Sequence, residues 1–431
     1  MGSPSSAVAV VGAGPVGLTA AWLLASNDVP VTVLEAAPEP RTDWRASTFH
    51  AATLELLDEV GMTAPMHAEG LVVPRFQYRD RREGVVAEFD FGALADVTRF
   101  PYRLQLNQQR LVTMLLERLA GAPAADVRLG HAVTDVAASQ RRAVLTVQTR
   151  EGPQQITQQI PQQITAPFVL AADGASSTVR KRLGISFEGM MYPQRFLIVS
   201  VAEDLRECVP DLADVCYVSD PDEFLFVLRT PDSWRVVFPV PLDEPVDVAL
   251  SEERLQDRLA GFHPLGRRYD VIDRQIYSVH QRVAETFRCG TVLLLGDAGH
   301  INSPLGGMGL NGGIHDAMDA GLRLLRILGK RTARVDDELD AYATARRAVA
   351  SDYVRADTHR NTSLMAERDP AVRAANHARL RATAADPEAA RAWMLRASMI
   401  APVADQGIGR EPTTPTTATT TDTTPSTTTP R

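Results

Sequence analysis

Two hydrophobic periods alternate along the first thirty-five residues. "AVAVV" at 7–11 is a continuous apolar run, "PVGLTAAWLLAS" at 15–26 places apolar residues at helical spacing, and "VTVLE" at 31–35 is apolar again. Strand, helix and strand are predicted in turn, a βαβ unit. A helical stretch is expected over "TFHAATLELLDEVGM" (48–62), strands around a turn at Glu83 and Gly84 within 71–91, and a second long helix over "NQQRLVTMLLERLAG" (107–121). Further strands fall near 127–136 and 143–149, and again at "APFVLAA" (166–172). Alternating apolar positions in "RFLIVSVA", "EFLFVLRT" and "SWRVVFPVP" predict a separate sheet across 187–282, with one packed face. "TVLLL" (291–295) then runs into a glycine-rich loop, and Leu310, Ile314, Ala317, Gly321, Leu324 and Leu328 recur at helical intervals behind it. The chain from 331 to about 400 reads as helix.

Composition narrows the class. The chain has 431 residues, 45% hydrophobic and 23% charged, enough for two or three domains' worth of core. A formal charge of −8 argues against a nucleic-acid partner. Three cysteines, Cys208, Cys216 and Cys289, are too few and too irregular for a disulfide framework or a metal knuckle and fit a reducing, cytoplasmic compartment. No apolar run approaches a membrane span, and no basic region followed by an apolar core marks a signal peptide. "MGSPSS" matches the loose myristoylation pattern, but a buried strand beginning at Ala7 speaks against it. The repeat "PQQITQQIPQQIT" (153–165) reads as a lengthened surface hairpin without chemistry, and the Thr/Pro-rich tail from Val403 as disorder.

Three motifs carry chemistry. Gly12, Gly14 and Gly17 in "GAGPVG" follow a strand and open a helix, so a pyrophosphate can sit on the helix N-terminus; Glu35, eighteen residues after Gly17, can accept ribose hydroxyls. Asp173 and Gly174 follow a second strand, and Gly296 and Asp297 a third. "GDAGHINSPLGGMGLNGG" (296–313) holds seven glycines, as expected where backbone must approach a ligand closely, and feeds a helix N-terminus. The first motif alone does not separate NAD from FAD.

In the order and spacing of these motifs, over about residues 7–330, the chain resembles the FAD-dependent aromatic monooxygenases of the para-hydroxybenzoate hydroxylase class. The resemblance implies an α/β fold: a Rossmann-like FAD-binding domain (1–73, 102–186 and 283–330), an inserted β-sheet substrate domain (74–101 and 187–282), C-terminal helices (331–402) and a disordered tail (403–431). It implies FAD held at Gly12, Gly14, Gly17, Glu35, Arg45, Gln105, Asp173, Gly296, Asp297, Gly309, Leu310 and Asn311. NADPH or NADH is implied as a transient donor, with O2 as co-substrate and a flavin hydroperoxide as oxygenating species. An aromatic small molecule would meet Tyr217, Arg229, Arg235, Pro304 and Leu305, while Arg45, His300 and Pro304 are the weak candidates for catalysis. Leu305 stands where the para-hydroxybenzoate enzyme has a threonine, which disfavours para-hydroxybenzoate itself. A flavin-dependent halogenase and a non-catalytic FAD protein that sequesters a ligand share the same motifs, though the halogenase tryptophan pair is missing. No metal is expected, and a homodimer is left open.

Overall fold

A computed structural model describes residues 6–40, 46–149, 161–354 and 363–401, together with 360 and 408. Val8–Val11, Val31–Leu34 and Phe168–Ala171 are buried at every position, as strands covered on both faces must be, and so they read as unbroken apolar runs. They form the centre of a six-stranded sheet in the order 288–289, 292–294, 168–171, 8–11, 31–34 and 125–128. All neighbours are parallel except the edge strand Arg288–Cys289.

Helices Pro15–Ala25 and Met308–Leu328 cover this sheet and cross each other closely. A Cβ at Gly313 would lie 2.6 Å from Val16 Cγ2, and one at Gly321 would lie 2.5 Å from Leu23 Cδ2. Any larger residue would have to displace those side chains, so part of the glycine richness after residue 295 serves close helix packing.

The region 187–282 supplies most of a second, eight-stranded sheet, in the order 300–301, 271–284, 187–201, 234–241, 225–229, 215–219, 75–80 and 84–90. Its pairs are antiparallel except Val215–Ser219 beside Arg75–Asp80. Both faces are packed. Leu197, Val199, Val227, Val236 and Phe238 lie under the helix Glu252–Phe262 through its Leu255 and Leu259. Phe76, Phe89, Phe196, Tyr217, Phe226 and Val237 form the opposite face, which is closed by Leu305 and by Leu380 and Met394 of the last two helices. Those helices, Pro370–Ala385 and Pro387–Ala397, start at Asp369 and Asp386, whose carboxylates accept the first free amides ahead of a proline at the first helical position.

A small three-stranded sheet, 48–49, 103–105 and 71–73, stands between the two large ones. The sequence predicts helix from residue 48; instead Thr48–Phe49 pairs with Leu104–Gln105, and the helix begins only at Ala51. Gln162–Ala166 pairs antiparallel with Ala143–Thr149, so the second arm of the expected hairpin is a strand, while its turn lies outside the described residues. The Thr/Pro tail lies outside them too. Among the described residues no helix is long and apolar enough to cross a membrane.

Candidate functional site

In the six-stranded sheet, the strand after Val8–Val11 lies on one side of it and Phe168–Ala171 on the other. In open α/β sheets a crevice opens at the carboxyl ends of such a pair. Here it is a cleft of about 520 Å³, running past Gly12, Gly14, Glu35, Asp173 and Asp297 to Gly309 and Leu310. The three glycines of the first motif divide their tasks. A Cβ at Gly12, whose φ is +103°, would lie 2.4 Å from the Ala172 carbonyl oxygen, and one at Gly17 would lie 2.1 Å from the Gly12 oxygen. Gly14 has nothing within 4 Å of that position. The first and third let chain pass chain, and the second leaves open ground before the helix Pro15–Ala25, whose N-cap makes no side-chain hydrogen bond. First-turn amides and the positive end of the helix dipole face that ground.

Carboxylates mark the rest of the cleft. Glu35 accepts the amides of Ala13 and Ala37, each at 2.8 Å, which fixes it beside the glycine turn. Asp173 accepts Ser177 Oγ at 2.6 Å and the Val179 amide at 3.0 Å, so it caps the helix Thr178–Arg182 while standing in the cleft wall. Asp297 is exposed in the cleft. Gly296, by contrast, gives its amide to Asp316 Oδ2 at 2.9 Å and packs beside Val16, so that amide is already taken within the fold.

The loop at the far end is tied by side chains from distant segments. The Pro304 carbonyl accepts the Gly307 amide, and Gly307, left-handed at φ 66°, caps Met308–Leu328. Asn311 is fully buried: its Nδ2 donates to the carbonyls of Thr48 and Gly307, and its Oδ1 accepts the His50 amide at 2.9 Å. Its side chain is therefore a clasp, and only the first-turn amides beside Gly309 and Leu310 remain to meet a ligand. Gln105, also fully buried, accepts Thr48 Oγ1 at 3.0 Å, while its Nε2 has no partner among the described residues. A buried amide donor left open at the end of such a cleft is what a bound group would satisfy. Phosphate-facing amides at one end, a ribose-facing carboxylate at Glu35, and main-chain donors with Gln105 at the other end fit the elongated FAD molecule.

His300 does not reach this space. It is 4% exposed, stacked on Phe287, with Nε2 2.8 Å from Asp316 Oδ2; Arg346 Nε lies 2.6 Å from Asp316 Oδ1. Arg346 and His300 hold the Asp316 carboxyl below its usual range against the opposing effect of burial, the largest single influence. A catalytic role for His300 is thus corrected to membership of a buried ionic knot behind the helix. Arg229 is corrected as well. It shares the face of Leu225 and Val227, away from the aromatic cluster, and lies 3.6 Å from Asp214 and 3.9 Å from Asp204. Arg45 lies outside the described residues.

Tyr217 and Leu305 belong to the aromatic cluster on the second sheet, Tyr217 stacked on Tyr78 with ring centroids 5.3 Å apart. Arg235 lies on the same face and donates to Asn107 Oδ1 at the start of the helix Gln108–Ala120, tying the second sheet to that helix. Its burial pushes the guanidinium down to about 10. Two residues here escape the motif reading. His50 is fully buried against the Gly306 carbonyl, with its imidazole pulled down to about 3 by burial and then by Arg103. Arg103, 3% exposed, lies over Phe76 and Phe91 and donates to the Tyr217 hydroxyl at 3.3 Å. The strand period held the signal for Arg103: two residues before Gln105, it shares that residue's side of the strand. Trp393 of the last helix stacks on Phe89, so the C-terminal helices pack over this aromatic cluster.

Residues 5–357 match the family described as FAD binding domain. The chain is 30% identical over 393 residues to para-nitrophenol 4-monooxygenase of Pseudomonas sp. (strain WBC-3), covering 90% of this chain and 94% of that one. It is also 30% identical to 6-hydroxy-3-succinoylpyridine 3-monooxygenase HspB of Pseudomonas putida, over 79% of this chain and 84% of the relative. The crystal structure of p-nitrophenol 4-monooxygenase PnpA from Pseudomonas putida DLL-E4 superposes with a TM-score of 0.84 at 29% identity, covering 91% of this chain and 98% of that structure.

Proposed function

The chain belongs to the FAD binding domain family, and on that premise we propose that it hydroxylates a phenolic or heteroaromatic small molecule, with O2 as co-substrate and NADPH or NADH as electron donor. One observation carries this reading. A cleft with the donor set for FAD ends at Leu310, and Leu305 of the same loop packs into a closed cluster of aromatic side chains on the second sheet.

FAD held here would pass the electrons of NAD(P)H to O2, so that one oxygen atom goes to the aromatic ring and the other leaves as water. The chain's own residues do the rest. First-turn amides of Pro15–Ala25 receive the pyrophosphate, Glu35 the ribose hydroxyls, and Asp297 the hydroxylated chain that links phosphate to ring. The helix N-terminus at Gly309 and Leu310 offers amides and a positive dipole to the polar edge of the ring system. The aromatic cluster and the C-terminal helices over it keep water from the reacting carbon. The relatives described above are monooxygenases, and the halogenase alternative finds no support among them. Unpaired cysteines suit a cytoplasmic setting, and a homodimer is compatible with the site being complete within one chain.

Purified protein should carry a flavin spectrum and consume NAD(P)H faster when offered members of a phenol and heteroaromatic panel, yielding oxygenated product. Binding of the aromatic without such consumption would favour a ligand-sequestering flavoprotein. Asp297→Ala, at an exposed cleft position, should weaken FAD retention roughly tenfold or more and disturb folding of the flavin-free chain less than that. Retention at wild-type affinity would remove Asp297 from the FAD contacts.

A further inference from the structure

The loop that brings the helix start to the far end of the cleft contains two consecutive glycines at positive φ, Gly306 at 104° and Gly307 at 66°. Glycine on both sides leaves the peptide between them free to turn over, because neither residue has a Cβ to forbid the reversed orientation. The direction that peptide faces governs how the chain enters the helix Met308–Leu328. Its N-cap, Gly307, makes no side-chain hydrogen bond, so the amides of Met308, Gly309 and Leu310 have no cap. The N–H end of the peptide is held locally, by the Pro304 carbonyl at 2.9 Å. Its carbonyl end is held from 256 residues away in sequence, by His50 Nε2 at 2.8 Å.

The His50 ring has little else to do. It is fully buried, and the Gly306 carbonyl can only accept, so Nε2 carries the proton; Nδ1 has no partner among the described residues. Burial, and then Arg103, keep the ring from taking a second proton. An apolar side chain would fill the same space without leaving a nitrogen unpaired, so what histidine adds is the N–H on Gly306. The neighbouring bonds to this helix act elsewhere. Asn311 binds the Thr48 carbonyl and the His50 amide, and His315 Nε2 meets Thr53 Oγ1 one turn further on. Those bonds fix where the helix lies, and the His50 ring fixes which way its leading peptide faces.

We propose that His50 is a positioning residue for the flavin: by holding the Gly306 carbonyl it keeps the amides of Met308, Gly309 and Leu310 aimed at the ring end of FAD, and so sets how much more tightly reduced FAD is bound than oxidised. This rests on the FAD-dependent hydroxylase reading above. Reduction adds negative charge to the ring system, and amides at the positive end of a helix dipole stabilise that charge more than they stabilise the neutral ring. A loop whose leading peptide is free to turn over holds those amides less firmly, and the reduced form loses more than the oxidised one.

The test is an anaerobic redox titration of FAD-loaded protein against a reference dye, with the affinity for oxidised FAD measured separately. Asparagine at position 50 places its amide nitrogen where Nδ1 stands, short of Gly306, and is a favourable N-cap for the helix Ala51–Glu59. Glutamine places its amide nitrogen at the reach of Nε2. His50→Asn should therefore bind reduced FAD at least tenfold more weakly relative to oxidised FAD, a fall in midpoint potential of about 30 mV or more for the two-electron couple. His50→Gln should restore most of the wild-type potential. His315→Gln, which disturbs the same seam without touching Gly306, should leave the potential in place. Gly306→Ala strains the observed orientation while keeping His50; it should lower the potential in the same direction, and it carries the test if His50→Asn fails to fold. An unchanged potential in His50→Asn and Gly306→Ala, or an equal fall in His50→Asn and His50→Gln, overturns the proposal. So does an equal loss of oxidised and reduced FAD, which would reduce His50 to a structural prop. A wild type that takes no FAD overturns this proposal and the hydroxylase reading together. The expected potentials without aromatic-stimulated NAD(P)H consumption would defeat the hydroxylase reading alone.

Discussion

Gly12, Gly14 and Gly17 act within six residues of one another, whereas Phe76, Tyr217, Leu305 and Met394 come from four distant parts of the chain to pack in one cluster. The cleft offers main-chain amides, held by a turn, a helix start and the absence of Cβ atoms. The aromatic cluster offers side chains, held by a sheet whose paired strands are up to about 140 residues apart in sequence. A surface made of backbone tolerates little change in the residues that shape it but hardly depends on which side chains surround it. A surface made of side chains can be altered one residue at a time, which is how a common cofactor half can serve many substrates. The knot of Asp316, Arg346 and His300 shows that even the backbone-built half leans on long-range side-chain contacts, since the Gly296 amide that shapes its last turn is held by Asp316.

The comparison breaks most readily at that knot. Asp316→Ala leaves Arg346, 3% exposed, without its carboxylate, and should cost about 3–5 kcal/mol of stability as well as flavin. Urea unfolding and the flavin spectrum of the purified variant check both. A loss below about 1 kcal/mol would mean that water or another acid reaches Arg346. Gly17→Ala tests the turn itself. The added methyl would lie 2.1 Å from the Gly12 carbonyl oxygen, which cannot rotate away, so a cost of about 1–3 kcal/mol is expected together with loss of FAD. Unfolding midpoints with and without added FAD separate the two effects.

How much was legible follows the same division. The βαβ unit, the glycine spacing and Glu35 could be read because that spacing is dictated by one turn and one helix, although the Ala172 carbonyl that Gly12 passes lies 160 residues away. The α/β fold with its second sheet was legible from period alone. The bonds of Gly296 and His300 to Asp316 were not legible because a motif reports position, not which partner claims each atom: Asp316 is twenty residues beyond Gly296, and no local pattern announces the pairing. Arg229 was misassigned because choosing a strand's inward face needs the neighbouring strands. Thr48 and Phe49 read as helix because their pairing with Leu104 and Gln105 is set from more than fifty residues away. Arg103 and His50 went unseen since their neighbours are assembled only in three dimensions.

His50 and His315 offer a smaller and sharper comparison, because they hold the seam between the two regions. His315 Nε2 lies 2.8 Å from Thr53 Oγ1, and its imidazole, like that of His50, is pulled down to about 3, by burial first and then by Arg346. Both folded-state values are depressed, so the stability from these neutral rings is fully present above pH 6.5, the ordinary histidine value. Below it the unfolded chain binds protons that the fold refuses, and stability falls as pH drops toward 3. Each site should contribute a slope of up to about 1.4 kcal/mol per pH unit within that window. Urea midpoints between pH 7 and 4.5 should therefore drop steeply in the wild type, and less steeply when either His50→Gln or His315→Gln removes one proton from the count. An unchanged slope in both variants would show that the rings are already protonated in the fold.

The smallest effect is expected where the two faces of the second sheet are compared directly. Arg229 and Tyr217 lie on adjacent strands, but Arg229 turns toward Asp204 and Asp214 on the face away from the aromatic cluster, and its pairs at 3.9 and 3.6 Å are part-exposed. Pairs of that kind contribute about 0–1 kcal/mol. Arg229→Ala should thus shift the unfolding free energy by less than about 1 kcal/mol and leave the KM for any aromatic substrate unaltered, in contrast to Tyr217→Phe. A raised KM in Arg229→Ala with unchanged stability would mean that the strand Leu225–Arg229 presents its other face to the substrate. The aromatic wall would then have to be assigned to the opposite side of the sheet.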